Sequence, residues 1–459
     1  MPDITEKNFE STIEQVLLSG GPDALPEQVA NIGEIQAIYD TDPGPTFTPG
    51  GFRKRTSADY DEDLCLDPEM VVTFLQATQP REWAKLRKQY GDRTRKRFIR
   101  RLAKEIEHKG TLYVLRNGIK DMGAKFDLVY FKPQTGLNPE LQEKYRANQF
   151  SVIRQWEYSV KDGDKQHRKS IDLGIFINGL PIFTAELKNP LTGQNYHNAI
   201  HQYKTARSDA GEPLFEFGRC LAHFAVDPDE VHFATEIAGE KTRFFPFNQG
   251  RGRGAGNPVP NHDRFATAYL WEQIWAKDSI LDLLQHFIHI IEERDERGKK
   301  TGEKMMVFPR YHQLDAARKL LSNTYREGPG EQYLIQHSAG SGKTFTISWL
   351  AHQLAKLHDE GDQPIFDSVI VITDRRVLDT GGDQPREALP RGGGRPKPEI
   401  ASLGAAPGQD EVRRPGTDRP GDGLSGAFQD APGPAAGGVG ARGVAPGRFV
   451  DLGHRPLRL

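Results

Sequence analysis

Three residues stand where their chemistry is out of place: Asp172, Glu186 and Lys188 lie in or at the end of two apolar runs, Ile171–Ile177 and Leu180–Leu187. The dipeptide Asn178-Gly179 between the runs is a tight-turn signal, so the segment reads as a β-hairpin. Two carboxylates are hard oxygen ligands of the kind Mg²⁺ takes, and a neighbouring ammonium can orient or activate a water. The chemistry implied is metal-dependent phosphodiester cleavage, with Asp172 and Glu186 as metal ligands and Lys188 beside them. A surface hairpin with salt-bridged charges is the competing reading. Against it, the flanking residues are apolar on both faces, as in a strand inside a sheet, where unpaired acids are expensive. Side chains alternate along a strand, so the loop length decides whether the acids meet. A three-residue loop, Asn178-Gly179-Leu180, sets Asp172 opposite Glu186, whereas a two-residue loop sets it opposite Ala185.

A second constellation follows at His337-Ser338-Ala339-Gly340-Ser341-Gly342-Lys343-Thr344. An apolar run, Tyr333-Leu334-Ile335, precedes it as an expected strand, and Ile347–Leu354 follows as an expected helix. This is the layout of a phosphate-binding loop. Backbone N–H groups of Gly340, Ser341 and Gly342 and the helix N-terminus cradle phosphates, Lys343 reaches the terminal ones, and Thr344 sits on Mg²⁺. His337 stands where the common pattern has glycine.

The elements that must position these residues follow from periodicity. Glu6 to Gly20 reads as a first helix, carrying Glu10 as a further candidate acid, although an exposed helix charge is the simpler reading. Asp42–Gly51 reads as a loop, Asp67–Lys109 as helical and charged, Thr111–Lys188 as short strands, and Gly193–Ala206 as a helix. These make an α/β domain over residues 1–235. Gln249–Pro258 is a Gly-rich connector. Tyr269–Glu293 shows the spacing of buried helix faces and fills a connecting helical region, 236–300. Residues 301–380 hold the phosphate loop.

The chain has 459 residues, 36% hydrophobic, a formal net charge of −2 and two cysteines, Cys65 and Cys220. Two distant cysteines exclude a zinc cluster or a disulfide framework, which leaves metal to oxygen ligands. No signal-peptide pattern opens the sequence and no apolar run approaches a membrane span, so a cytoplasmic location is expected. The balanced charge confines any nucleic-acid contact to local patches. One is the basic stretch from Lys85 to Arg101, either a phosphate-tracking helix or the solvated face of an amphipathic one.

Taken in order, these motifs resemble one family, the restriction (R) subunit of type I restriction-modification enzymes. The segments that carry the resemblance are Phe126–Tyr130, Gln155–Tyr158, the hairpin, Phe224–Asp227, Thr242–Asn248, Tyr269–Glu272, Ile335–Thr344 and Val371–Arg376. The resemblance implies a PD-(D/E)xK-type α/β nuclease domain followed by the start of a RecA-like lobe of the superfamily 2 helicase type. It implies Mg²⁺ and ATP as cofactors and double-stranded DNA as substrate. It also implies the specificity and methylation subunits of the same complex as partners. Gln313, after Phe308-Pro309-Arg310-Tyr311-His312, resembles the glutamine that reads adenine. Gln202 resembles a glutamine that supports the nuclease site. Its tyrosine partner is expected four residues on, where Ala206 stands, and Tyr203 is a weaker counterpart.

After Asp379 the character of the sequence changes. It becomes rich in glycine and proline, its only aromatics are Phe428 and Phe449, and no periodicity survives. Asp410-Glu411 follows no strand and is no counterpart of the family's acidic box. The expectation is a motor truncated near residue 380 and a disordered tail over 381–459, either out-of-frame translation or a natural disordered segment. Two alternatives to a nuclease subunit with an incomplete motor remain open: a non-catalytic remnant, and a stand-alone Mg²⁺ nuclease with a vestigial ATP loop.

Overall fold

Asp67 opens the helix Pro68–Thr78 by accepting hydrogen bonds from the backbone N–H groups of Glu69 and Met70, with Pro68 pre-set for the first turn. The computed structural model describes residues 6–24, 45–133, 138–159, 169–190, 193–207, 212–252, 254–259, 264–294, 300–372 and 400–403. Its first part runs α1 (Glu6–Leu18), β1 (Arg53–Arg55), α2 (Pro68–Thr78), α3 (Pro80–Tyr90), α4 (Thr94–Lys109) and α5 (Thr111–Asn117). A small ribbon, β2 (Ile119–Asp121) with β3 (Ala124–Phe126), and α6 (Pro139–Arg146) follow. Then come β4 (Phe150–Glu157), β5 (Ser170–Ile177), β6 (Leu180–Leu187), α7 (Tyr196–Thr205), β7 (Ala222–Val226), β8 (Val231–Ala234) and β9 (Phe245–Pro246).

Seven strands form one sheet in the order β1-β4-β5-β6-β7-β8-β9. β4, β5 and β6 are antiparallel neighbours, while β6 and β7 are parallel, with α7 in the crossover that a parallel pair requires. β5 and β6 lie in the middle of the sheet, and every residue of β6 is buried, as expected for runs that are apolar on both faces. Helix α4 turns Phe98, Ile99, Leu102 and Ile106 into the core and leaves Arg95, Lys96, Arg97 and Arg100 exposed. The sheet continues to Pro246, past the boundary expected at 235, because β9 pairs with β8.

The next segment departs from expectation. Tyr269–Glu293 is not continuous helix but two π-helical turns, Leu270–Ile274 and Leu283–Phe287, around α8 (Lys277–Asp282). Beyond them β10 (His289–Arg294) pairs with β11 (Lys300–Val307). The extended backbone at Ala276 breaks the helix, and Ile288, Ile290 and Ile291 suit a strand better than a helix. Arg116 of α5 reaches into this region and donates to the carbonyls of Leu284, Gln285 and Ile288. Phe308, just after β11, packs against Phe183, Phe224, Phe233 and Phe247 of the sheet region.

α9 (Tyr311–Glu327) and α10 (Lys343–Leu354) pack on each other, and β12 (Val369–Ile372) follows. The strand expected at Tyr333–Ile335 does not form. A strand exists through its pairing, and this segment has no strand partner among the described residues, so that Leu334 is 72% exposed. β12 pairs instead, in parallel, with β13 (Ile400–Leu403). Those four residues form regular structure inside the segment expected to have none. Asp374, Arg375 and Arg376, Asp410-Glu411 and the rest of the tail lie outside the described residues.

Candidate active site

The hairpin is built differently from the expected three-residue loop. Asn178 and Gly179 have φ of 49° and 84°, which makes a two-residue turn of the type favoured in hairpins, and Ile177 pairs with Leu180. Asn178 is fixed there by donating to the Leu128 carbonyl at 2.8 Å and accepting from the Gln149 N–H at 2.7 Å. Phe176 faces Pro181 but Ile175 faces Phe183, so Ile182 is an extra residue, a bulge beside a proline that has no N–H for the ladder. Past the bulge Leu173 faces Ala185, which carries Asp172 opposite Glu186. The expected juxtaposition thus arises from a short turn and a compensating bulge.

The three residues meet at the far end of β5 and β6. Lys188 Nζ lies 3.6 Å from Asp172 Oδ2 and 4.0 Å from Glu186 Oε2. The Leu187 N–H donates to Asp172 Oδ2 at 2.7 Å, so the strand that carries the second acid also holds the first. All three side chains are buried. Burial pushes the Glu186 carboxyl up to about 8; the charge of Asp172 adds to this, and Arg207 and Lys188 oppose it. Glu186 Oε2 is buried and has no hydrogen-bond partner among the described residues.

Further residues complete the site, and Arg207 among them was not singled out by any motif. Arg207, two residues past α7, donates to Glu186 Oε1 from Nε at 2.9 Å and from Nη2 at 2.7 Å. The signal that could have found it is a cation one residue beyond the position where the resemblance implies a tyrosine. Gln155, in β4 opposite Asp172, has a φ of 49° and donates from Nε2 to Asp172 Oδ1 at 3.3 Å and to Glu10 Oε1 at 2.9 Å. Glu10 is therefore not an exposed helix charge. It is buried at the edge of the site, linked to Asp172 through one amide. Under Glu186, the Thr184 hydroxyl bonds the Tyr203 hydroxyl and His223 Nδ1, both at 2.8 Å, and burial pushes His223 down to about 3. Gln202 is half-buried on α7, and among the described residues no hydrogen bond joins its side chain to Asp172, Glu186 or Lys188.

The second constellation closes on itself. Gly340 and Gly342 have φ of 75° and 81°, a left-handed backbone that lets the chain turn into α10 at Lys343. Lys343 Nζ donates to the His337 carbonyl at 3.2 Å, and Thr344 is the second helical residue. Gln313 is buried and donates to the carbonyls of Ser341 at 3.0 Å and Gly342 at 2.9 Å, so its amide braces the loop. Ser341 Oγ is buried without a partner.

Residues 68–250 match the model of the N terminus of type I restriction enzyme R proteins. Over that stretch the chain is similar to the N-terminal part of R proteins. The HindI type I restriction enzyme endonuclease subunit of Haemophilus influenzae is 26% identical over 239 residues, covering 52% of this chain and 21% of that protein. The MjaVIIIP endonuclease subunit, assigned to a type I restriction enzyme of Methanocaldococcus jannaschii, is 28% identical over 226 residues, 46% of this chain and 19% of that protein. The match to these relatives thus spans about a fifth of their length. The matched R-protein region holds Asp172, Glu186, Lys188, Gln155 and Arg207. Among the described residues no helix is long and apolar enough to cross a membrane.

Proposed function

We propose that this chain carries the Mg²⁺-dependent DNA endonuclease site of a type I restriction enzyme R protein, with Asp172 and Glu186 as metal ligands and Lys188 as the catalytic cation. The observation that carries the reading is the convergence of Lys188 on both carboxylates, at 3.6 and 4.0 Å, where Glu186 presents a buried oxygen with no hydrogen-bond partner. The donor set fits Mg²⁺. Among the described residues no group of three or more His, Cys, Asp or Glu side chains is arranged for a metal, and Mg²⁺ is commonly held by one or two carboxylates with waters and substrate phosphates.

The residues divide the work. Asp172, pinned by the Leu187 N–H and Gln155, and Glu186, through Oε2, would hold the ion. When bound, the ion supplies charge neutralisation and Lewis-acid polarisation at the scissile phosphate. Lys188 Nζ stands between the carboxylates, placed to orient a water and to offset negative charge that grows on the phosphate in the transition state. The burial of the whole group strengthens each of these interactions.

In the same reading, Gly340, Ser341, Gly342, Lys343 and Thr344 are the nucleotide site, with Mg²⁺ at Thr344, of the start of a RecA-like lobe, a motor that in the complete R protein moves double-stranded DNA and is incomplete here. DNA is delivered by the specificity and methylation subunits of the complex. The test is cleavage of DNA by the assembled enzyme, built on the full-length, in-frame R protein with its motor complete, carrying Glu186→Gln or Lys188→Ala. Each change is expected to lower Mg²⁺-dependent cleavage by about 10²-fold or more while ATP hydrolysis persists. Cleavage at an unchanged rate by the Glu186→Gln enzyme would place the site elsewhere.

A further inference from the structure

We propose that Arg207 is a positioning residue of this site: by holding Glu186 Oε1 it leaves Oε2 as the one oxygen that Glu186 offers a divalent cation. The inference rests on the nuclease reading above. Arg207 is itself buried, and its guanidinium is fixed from several directions. Nε and Nη2 both address Oε1, at 2.9 and 2.7 Å; Nη1 donates to the Tyr158 hydroxyl at 3.2 Å; and Nη2 also donates to the Ser170 carbonyl. Tyr158 follows β4 and Ser170 opens β5, so two neighbouring strands aim the fork at the acid on the third.

Two roles for such an arginine make opposite predictions. Asp172 and Glu186 are faced by Lys188 and Arg207, two negative charges by two positive ones. If Arg207 only neutralised, any cation at its place would serve, and lysine would keep the hold on a divalent cation. If Arg207 positions, its removal frees Glu186 to rotate, or to turn both oxygens to the ion, and the hold loosens. Lysine separates the roles, because it keeps the charge but loses the planar fork that bonds Oε1 twice while reaching Tyr158 and Ser170.

The experiment is Mg²⁺ titration calorimetry of the full chain without DNA, for the wild type, R207K, R207Q and E186Q, with DNA cleavage by the assembled enzyme as a second readout. Loss of a group that orients a metal ligand commonly weakens metal affinity by about 10–100-fold. R207K and R207Q are both expected to bind Mg²⁺ about tenfold or more weakly, with cleavage kcat reduced and the KM for DNA unchanged. R207K binding as tightly as the wild type, or R207Q binding more tightly, overturns the positioning role. E186Q separates this from the larger reading. If E186Q keeps full Mg²⁺ affinity the nuclease site itself is misplaced, whereas loss of binding in E186Q with an unaltered R207K refutes only the role of Arg207. Should R207K fail to fold, Y158F decides: it keeps the ring, cuts one anchor of the fork, and is expected to weaken Mg²⁺ binding measurably, so an unchanged affinity there also overturns the proposal.

Discussion

Glu186 sets the pH behaviour of the site. Its carboxyl titrates near 8 in the folded, metal-free chain against an ordinary 4.5, chiefly because it is buried. The folded state therefore keeps a proton that the unfolded state has already released between those values, and linkage makes stability fall as pH rises through that window and level off above it. Denaturant melts in the presence of a chelator are expected to show this decline in the wild type and a flatter profile in Glu186→Gln. A wild-type profile as flat as the variant's refutes it. Mg²⁺ needs the carboxylate, so its affinity is expected to rise over the same window and plateau above about 8. Asp172, Glu186 and Lys188 were legible in the sequence because charge in an apolar strand is anomalous at the level of composition. Arg207 and the role of Gln155 were not, since each joins the site from another element and nothing about an arginine after a helix or a glutamine in a strand is anomalous until the elements are assembled; Glu10 was noticed as an acid and wrongly weighed as an exposed one for the same reason. Gln313 was legible from its motif, whereas its bonds to the Ser341 and Gly342 carbonyls were not, for motif spacing says nothing about which way an amide turns.

At the scale of the element, the hairpin was foreseen in its place and in the pairing of its acids, but not in how it achieves that pairing. The Asn-Gly signal correctly marks a two-residue turn. The bulge at Ile182 is set by Pro181 and by the packing of both faces, which parity arguments on a regular strand do not contain. Gly179→Ala is expected to destabilise the chain by about 1–3 kcal/mol. Gly179 has a φ of 84°, and an added Cβ would come within 2.5 Å of the Asp67 carbonyl oxygen. A denaturant midpoint equal to that of the wild type counts against the turn as described. A one-residue insertion is the sharper experiment: an alanine placed between Phe183 and Thr184 sets Asp172 opposite Ala185, turns Glu186 to the other face and is expected to abolish Mg²⁺ binding, whereas deleting the bulged Ile182 makes the strand regular with Asp172 still facing Glu186 and is expected to keep the binding. Retention of Mg²⁺ affinity in the insertion variant counts against the facing of the two acids as the basis of the site.

On the scale of the molecule, the buried central strands and the helical block over α2 to α4 follow from patterns that a sequence carries on its surface. The π-helical turns and the β10–β11 pair do not, because they depend on contacts between distant residues. Arg116 is one such contact. Burial lowers its guanidinium to about 10, which leaves it charged at neutral pH, and it caps the carbonyls of Leu284, Gln285 and Ile288. Arg116→Ala is expected to cost about 3 kcal/mol or more, since several buried acceptors lose their donor together. Denaturation midpoints measure this loss, and a change below about 1 kcal/mol refutes it.

Phe308 carries a consequence of a different kind. It stands immediately before α9, whose Gln313 braces the phosphate loop, yet its ring lies among Phe183, Phe224, Phe233 and Phe247. Phe183 belongs to the same strand as Glu186. The loop that would grip a nucleotide and the strand that would grip a metal thus share one aromatic cluster, and the two halves should melt as a single cooperative unit. Scanning calorimetry is expected to record one transition over both, split by Phe308→Ala into two.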